Sequence, residues 1–272
     1  MDKFKRNERI GGIIKILGDN PSKVITYNYF SNIFTAAKSS ISEDILVVKK
    51  IIENLNMGKV ETIAGAAGGV KYIPVMNSTE SIQFIENLCN KLREKHRIIS
   101  GGYIYYTDII YSPDIVDKLG RIIASQYLFK GINYVVTMET KGIPIALMTA
   151  RYLNCPLVIV RRDNKVTDGT TLSINYISGS SSKISTMSLS KRSLAKDAKV
   201  IIVDDFMKGG GTAYGIVNLM KEFEVYVEGI SVLIASATPI DKLVTEYHPL
   251  MTLRELNTIK EIIDIIPYSK QK

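Results

Sequence analysis

The stretch KVIIVDDFMKGGGTAYGIVNLM, residues 199–220, decides the fold of the larger part of this chain. Residues 200–203 form a short apolar run, which is typical of a strand buried on both faces. Asp204 and Asp205 follow directly, and after three glycines an apolar helical pattern begins at Thr212. A strand, a glycine loop and a helix in this order indicate a parallel α/β sheet, where ligands bind at the carboxyl ends of the strands.

The glycine loop has the composition of a phosphate-binding site. Its backbone N–H groups can point inward as an anion nest, and the Thr212 hydroxyl and helix N-terminus complete a cradle. The absence of Gly-Lys-Ser/Thr excludes a Walker loop, and the adjacent glycines exclude the dinucleotide fingerprint. Because two carboxylates would repel a phosphate unless they accepted neutral hydroxyls, we expect a ribose 5-phosphate with vicinal hydroxyls on Asp204 and Asp205. The alternative is a tight turn that binds nothing.

The rest of residues 101–272 supports this α/β interpretation. Apolar strands of four to seven residues alternate with helices of ten or more, which predicts a mostly parallel sheet covered on both faces. The segments in question are GGYIYY, PDIVDKLGRIIASQYL, NYVVTM, the helix after Gly142, PLVIVRR and the stretch quoted above.

The first 74 residues have the pattern of a winged helix-turn-helix domain. Short helices are predicted at residues 10–17 and 28–34, and a longer one where Ser40 and Glu43 have the spacing of a capping box. Two strands, at about 60–63 and 70–73, then form a hairpin. A helix in residues 75–100 connects this domain to the second one.

In a winged helix the third helix enters the DNA major groove by its N-terminal end. Basic residues of the N-terminal arm and the wing then contact phosphates. The candidate DNA-binding residues are Lys3, Lys5, Arg6, Arg9, Lys38, Ser39, Ser40, Ser42, Lys59 and Lys71. The alternative is that these lysines form an ordinary solvated surface.

Composition narrows the class of protein further. With 46% hydrophobic and 23% charged residues, the 272-residue chain is globular, and its charge of +8 favours a polyanionic partner. Two cysteines and two histidines predict no disulfide framework, metal site or redox cofactor. The start, MDKFKRNERI, lacks the apolar core of a signal peptide, and no apolar run is long enough to span a bilayer, so we expect a cytoplasmic protein without membrane contact.

Several motifs together resemble a known family. VIIVDDFMKGGGT is similar to the phosphoribosyl-pyrophosphate (PRPP) motif of type I phosphoribosyltransferases, and METKGIP lies where those enzymes bind pyrophosphate. VRRDNKV and the hairpin of residues 171–193 lie where they carry a flexible loop over the site. With AAKSSISEDI, AGAAGGVKYIP, GGYIYYTDI and DNKVT, the whole chain resembles the bacterial purine-operon repressor family.

The resemblance implies a homodimeric repressor of purine synthesis genes whose DNA binding is weakened by PRPP and which catalyses no reaction. It implies that PRPP binds with its pyrophosphate, and with Mg²⁺ where this ion accompanies it, at Thr140, Lys141 and Gly142. The ribose hydroxyls would bind to Asp204 and Asp205. The 5-phosphate would bind to Lys208, Gly209, Gly210, Gly211 and Thr212. Position 209 departs from the enzymes, which have Thr or Ala there, and predicts a more flexible loop.

Two aromatic residues leave alternatives open. Phe206 either packs on the sheet or offers its face to a base, in which case guanine nucleotides with a diphosphate would share the pocket. Tyr103 either reaches the site or is a core or interface tyrosine. For the chain as a whole, the alternative function is an active purine phosphoribosyltransferase with an N-terminal appendage, which would need a nucleobase site and a closing loop.

Overall fold

The computed structural model describes residues 4–65, 68–163, 168–177 and 184–268. Its N-terminal domain has three helices and a small antiparallel sheet of strand order β1-β3-β2. In chain order the elements are α1 (Arg6–Asp19), β1 (Val24–Ile25), α2 (Tyr27–Phe34), α3 (Lys38–Asn54), β2 (Lys59–Ile63) and β3 (Gly69–Ile73). The helices and the hairpin lie where the sequence predicts them, and β1, which the sequence analysis did not predict, pairs with β3.

The predicted capping box at Ser40 and Glu43 is wrong. Helix α3 begins at Lys38 with Ala37 at the N-cap, so Ser40 lies inside the first turn. Only three residues separate α2 from α3, and Thr35 among them is left-handed with φ of 48°. Because the connection is so short, α3 begins at Lys38, two residues before Ser40.

The second domain is built on a six-stranded sheet of order β13-β12-β11-β10-β6-β7. The strands pair in parallel except for β13, which runs antiparallel to β12. Its elements are α4 (Ser78–Leu92), a 3-10 turn (Lys95–Arg97), β4 (Ile98–Ile99), β5 (Tyr103–Ile104), α5 (Thr107–Ile110), α6 (Pro113–Ser125), β6 (Tyr134–Met138), α7 (Ile143–Leu153), β7 (Leu157–Val160), β8 (Thr171–Ile177), β9 (Ile184–Ser190), β10 (Lys199–Met207), α8 (Gly211–Glu222), β11 (Tyr226–Ser236), β12 (His248–Asn257) and β13 (Ile262–Pro267).

Helix α4, predicted as a connection, packs into the core of the second domain. Its buried residues Ile85, Cys89 and Leu92 belong to the same apolar cluster as Leu253 and Ile265 of the sheet. The cluster removes apolar surface of both elements from water, which fixes the helix on β12 and β13. No helix among the described residues is long and apolar enough to cross a membrane.

Polar contacts join the two domains at one side of α6. The Arg121 guanidinium donates to three backbone carbonyls on either side of the β2–β3 hairpin: to Met57 before it at 2.5 Å, and to Pro74 at 2.9 Å and Val75 at 3.1 Å after it. The Ser22 hydroxyl donates to the Tyr152 carbonyl at 2.7 Å. The two domains are therefore in direct contact.

Candidate functional site

A cavity of about 700 Å³ opens at the carboxyl end of β10, which is where a parallel sheet binds its ligands. The described residues that line it are Ile99, Gly102, Tyr103, Ile104, Tyr106, Lys141, Arg162, Asp204, Phe206, Met207, Lys208, Gly209, Gly210, Gly211, Thr212, Ala213, Val232, Ile234, Ser236, Thr238, Leu253, Arg254, Glu255 and Leu256. A volume of this size is ordinary for a small-molecule site.

The glycine loop is held by a segment far away in sequence. The Leu243 N–H donates to the Gly209 carbonyl at 3.0 Å, and Lys242 Nζ donates to the Lys208 carbonyl at 2.7 Å. Gly210 has φ of +80°, and a Cβ there would lie 3.2 Å from the Val244 side chain. The loop therefore needs glycine at 210, and Gly209, for which the sequence predicts extra flexibility, is tied by a hydrogen bond.

Helix α8 presents its N-terminus to the cavity. Gly211, Thr212 and Ala213, its first three residues, all line the wall. The first N–H groups of a helix have no partner within it and carry the positive end of the helix dipole. This arrangement can bind a phosphate.

The segment METKGIP, for which the resemblance implies pyrophosphate binding, reaches the same cavity through Lys141. The peptide bond between Glu139 and Thr140 is cis, and Thr140 is exposed. Gly142 is buried, and a Cβ on it would lie 2.9 Å from Asp204 Oδ1. Only glycine lets this loop approach the acidic pair so closely.

The two aspartates have different surroundings. Asp204 lines the cavity, and burial, with the adjacent charge of Asp205, raises the pKa of its carboxyl well above the ordinary value. Asp205 Oδ2 accepts a hydrogen bond of 2.5 Å from the Tyr106 hydroxyl, and its N–H donates to Asp204 Oδ1 at 2.9 Å. Because successive side chains of a strand point to opposite faces, the pair does not face the cavity together.

The charge of the cavity fits a polyanion. Among the described residues of the wall, Lys141, Arg162, Lys208 and Arg254 are basic, whereas Asp204 and Glu255 are acidic. With a helix N-terminus at one loop and a lysine at the other, the cavity has two regions suited to phosphate groups. PRPP has a phosphate at one end of its ribose and a pyrophosphate at the other, so it fits these residues, and the Asp204 carboxylate is an oxygen ligand suited to Mg²⁺.

The structure also places the two aromatic candidates. Tyr103 is 63% exposed and lines the cavity, so it is not a core residue of the described chain. Phe206 packs against the main apolar cluster, as the first alternative predicts, and it also lines the cavity, while the stacking of a base on it stays a prediction.

Sequence reasoning missed several residues of the wall. Tyr106 lies 99 residues from its partner Asp205, and Arg162 belongs to a segment that was assigned only as a flexible loop. The C-terminal region, in which the sequence analysis named no site residue, contributes Ser236, Thr238, Leu253, Arg254, Glu255 and Leu256. The sequence signal for Tyr106 was its place in GGYIYYTDI, three residues after the candidate Tyr103.

The described part of the hairpin β8–β9 packs on α8. A Cβ on Gly215 would lie 2.6 Å from the Met187 side chain and 2.9 Å from that of Tyr176. Residues 164–167 and 178–183, which belong to the segments predicted to form a flexible loop, lie outside the described residues.

In the N-terminal domain, a buried carboxylate joins α1 to α3. Asp44 has a side chain 1% exposed, and it receives Arg9 Nε at 2.6 Å and Arg6 Nε at 3.3 Å. The Arg9 side chain is 11% exposed and Arg6 is 59% exposed. Arg9, predicted to contact DNA phosphates, therefore neutralises the buried charge of Asp44. Removing one partner of such a buried ion pair destabilises a folded protein by about 3–5 kcal/mol.

The remaining candidate DNA contacts that the structure describes lie in the elements predicted for them, and their contact with DNA stays a prediction. Lys38, Ser39 and Ser40 occupy the first turn of α3, and Ser42 follows on an exposed position. Lys5 precedes α1, Lys59 begins β2, and Lys71 is half-buried on β3 opposite Glu61. Lys3 lies outside the described residues.

Comparisons with known proteins match both domains. Residues 5–74 match the family described as bacterial purine repressor, N-terminal, and residues 107–269 match the phosphoribosyl transferase domain. The chain is 46% identical to the purine biosynthesis transcriptional repressor of Bacillus subtilis, over 97% of this chain and 92% of that protein. It is 42% identical to the purine biosynthesis transcriptional activator of Lactococcus lactis, over 96% of this chain and 97% of that protein.

Solved structures match the second domain. The adenine phosphoribosyltransferase of Rhodothermus marinus superimposes with a TM-score of 0.54 at 18% identity, over 63% of this chain and 99% of the enzyme. At this identity the likeness concerns the fold alone, so it confirms the predicted α/β class of the second domain.

Proposed function

Because the chain belongs to the family of bacterial purine biosynthesis transcriptional regulators, we propose that it represses purine biosynthesis genes and that PRPP weakens its binding to DNA. The observation that carries the effector proposal is the cavity where the glycine loop, the N-terminus of α8 and Lys141 meet Asp204. The relative with 46% identity is named a repressor and the relative with 42% identity is named an activator, so the sign of regulation is a separate point for experiment.

In this proposal the glycine loop and Thr212 bind the 5-phosphate, and Lys141 binds the pyrophosphate. Asp204 accepts a ribose hydroxyl directly, and Asp205 accepts the other after it turns from Tyr106. Mg²⁺ accompanies the pyrophosphate as it does for other polyphosphates. The protein binds DNA as a homodimer through the first turn of α3, which suits an inverted-repeat operator.

Titration of the protein with a labelled purine promoter tests the proposal. Affinity measured from 50 to 300 mM salt, with and without PRPP and Mg²⁺, should show a steep salt dependence and weaker binding when PRPP is present. Run-off transcription from the same promoter should fall as the protein is added. Promoter binding that is indifferent to PRPP at every salt concentration would contradict the effector role.

The second candidate is an active phosphoribosyltransferase, and the apolar wall of Ile99, Ile104, Leu253 and Leu256 could accommodate a base. A turnover assay with PRPP and the common purine bases decides between the two. We expect no nucleotide to form and pyrophosphate to appear no faster than by spontaneous PRPP hydrolysis.

Guanine nucleotides with a diphosphate are proposed as further ligands of the same cavity. The two phosphate regions and the exposed part of Phe206 support this, since a base can stack on an aromatic face. Calorimetric competition against PRPP tests it, and additive heats without competition would contradict a shared site.

A further inference from the structure

The hydroxyl of Tyr106 bonds to one of the two carboxylates that the proposed function assigns to the ribose. It donates to Asp205 Oδ2 at 2.5 Å, and the Tyr106 side chain is largely buried, with 8% exposed. Burial and the charge of Asp205 raise the pKa of this phenol far above its ordinary value. The hydroxyl therefore remains a donor at every physiological pH.

This bond keeps the acidic pair divided. Asp204 forms part of the cavity wall, while Asp205 is directed to the side of the sheet where Tyr106 packs with Val203 and Ile109 in the main apolar cluster. A ribose with two vicinal hydroxyls can use Asp204 as it stands. It can use Asp205 only if the phenol gives up the same carboxylate.

The Tyr106 ring also contacts the second half of the site. Lys141 Nζ lies 4.8 Å from the ring centroid, a cation–π distance, and Lys141 belongs to the loop assigned to pyrophosphate. The Tyr106 carbonyl in turn accepts from the N–H groups of Ile109 at 3.0 Å and Ile110 at 3.2 Å, which begins α5. The Tyr106 side chain thus contacts both Asp205 and Lys141, and its backbone carbonyl starts α5, the helix that precedes α6.

From this geometry we propose that Tyr106 is a built-in competitor of the effector: its hydroxyl occupies Asp205 in the free protein, and a ribose hydroxyl must replace it. The inference rests on the proposed effector function and deepens it. A phenol and a ribose hydroxyl can each donate one hydrogen bond to the carboxylate, so the exchange leaves the number of hydrogen bonds to Asp205 unchanged, and the effector must first break the bond from Tyr106. Tyr106 thereby raises the effector concentration at which the regulator responds.

Tyr106→Phe tests this inference because it removes the donor and keeps the ring over Lys141. Since a hydrogen bond to a charged group no longer has to be broken, PRPP with Mg²⁺ should bind about tenfold more tightly by calorimetry. Inorganic pyrophosphate, which has no hydroxyl for Asp205, should bind Tyr106→Phe and wild type equally. Tyr111→Phe, 54% exposed at the end of α5, is the matched control and should leave both affinities unchanged.

The outcomes separate this inference from the proposed function. If wild type binds PRPP and releases DNA but Tyr106→Phe has the same or a lower PRPP affinity, the competitor role is wrong and the effector role stands. An equal gain for PRPP and pyrophosphate also overturns it, because the effect is then a general loosening. If only Tyr106→Phe binds PRPP, the competitor role holds and the effector role of PRPP in the natural protein fails, whereas no binding to either protein overturns both.

Discussion

At the scale of single residues, the two aspartates show how position in a strand sets chemistry. Asp204 and Asp205 are adjacent and identical in type, yet one lines a cavity and the other bonds to a phenol. Burial favours the neutral form of a carboxyl, and a neighbouring carboxylate favours it further. The raised pKa of Asp204 therefore has a consequence for stability.

A carboxyl whose pKa is raised by folding keeps its proton at a pH where the unfolded chain has released it. Stability contributed by this group is greatest at low pH and falls as the pH rises above 3.8, the ordinary value, toward the folded-state pKa. Asp204→Asn stays neutral, so we expect its free energy of unfolding in urea at pH 7 to exceed that of wild type by on the order of 1 kcal/mol.

The same difference should shrink as the pH falls through 3.8 and vanish toward about pH 2–3, where Asp204 is protonated in both states. Asp241→Asn, at an exposed position, is the control and should show no such trend. A variant that is less stable than wild type at pH 7 would mean that the Asp204 carboxylate is stabilised by its surroundings.

Lys38 and Lys50 lie on the same helix, in the first turn and three turns later, and both are exposed. Because the N-terminal end of α3 is assigned to the DNA, Lys38→Glu should weaken promoter binding and reduce the salt slope by about 1, while PRPP affinity is unchanged. Lys50→Glu should have a much smaller effect in the same filter or anisotropy titration. Equal effects of the two substitutions would contradict the proposed orientation of α3.

At the scale of elements, close packing of α6 on α7 depends on one glycine. A Cβ on Gly120 would lie 2.7 Å from the Met148 carbonyl carbon and 2.8 Å from the Thr149 nitrogen, both in the backbone of α7. Backbone atoms cannot move as a flexible side chain can, so the two helices would have to separate. This contact also positions Arg121, the neighbour of Gly120 on α6.

We expect Gly120→Ala to lower the free energy of unfolding by about 1–3 kcal/mol through overpacking. Gly11→Ala in α1 is the matched control, because a Cβ there meets nothing within 4 Å. It should be neutral or stabilise the protein by up to about 1 kcal/mol, since alanine favours a helix over glycine. Urea unfolding of both variants checks the prediction, and similar values for the two would contradict the close contact.

At the scale of the whole molecule, Arg121 links the phosphoribosyltransferase-fold domain to the N-terminal domain. Its guanidinium donates to the carbonyls of Met57, which precedes β2, and of Pro74 and Val75, which follow β3. Tyr106, which lines the cavity, directly precedes α5, and Arg121 lies on α6, the next helix along the chain. The cavity and the contact between the domains are therefore connected through two consecutive helices. Coupling between two sites requires such a physical connection with differing arrangements.

Arg121→Gln should retain PRPP binding and DNA binding measured separately, while the factor by which PRPP weakens DNA binding falls severalfold. Linkage requires the reciprocal effect of DNA on PRPP affinity to fall by the same factor, which calorimetry with promoter DNA measures. Arg151→Gln, at an exposed position on α7, serves as the control. An undiminished coupling factor in Arg121→Gln would show that PRPP acts by another path.

The sequence by itself determined the elements of the N-terminal domain except β1, and it placed the cavity at the carboxyl end of β10. Apolar periodicity located the three N-terminal helices, the hairpin and the alternating strands and helices, because burial of one face leaves a regular trace along the chain. The stretch 199–220 also predicted the glycine loop and the helix that supplies N–H groups, since these features are local.

Only the tertiary structure decided which partners the side chains meet. Asp205 faces Tyr106 from 99 residues away, Arg9 pairs with the buried Asp44 from 35 residues away, and Lys242 holds the glycine loop from 34 residues away. Such pairs are set by how elements that are distant in the sequence pack together, and periodicity carries no information about them. Local pattern fixes where a functional group is placed along an element, whereas packing between distant elements fixes the charge, orientation and availability of that group.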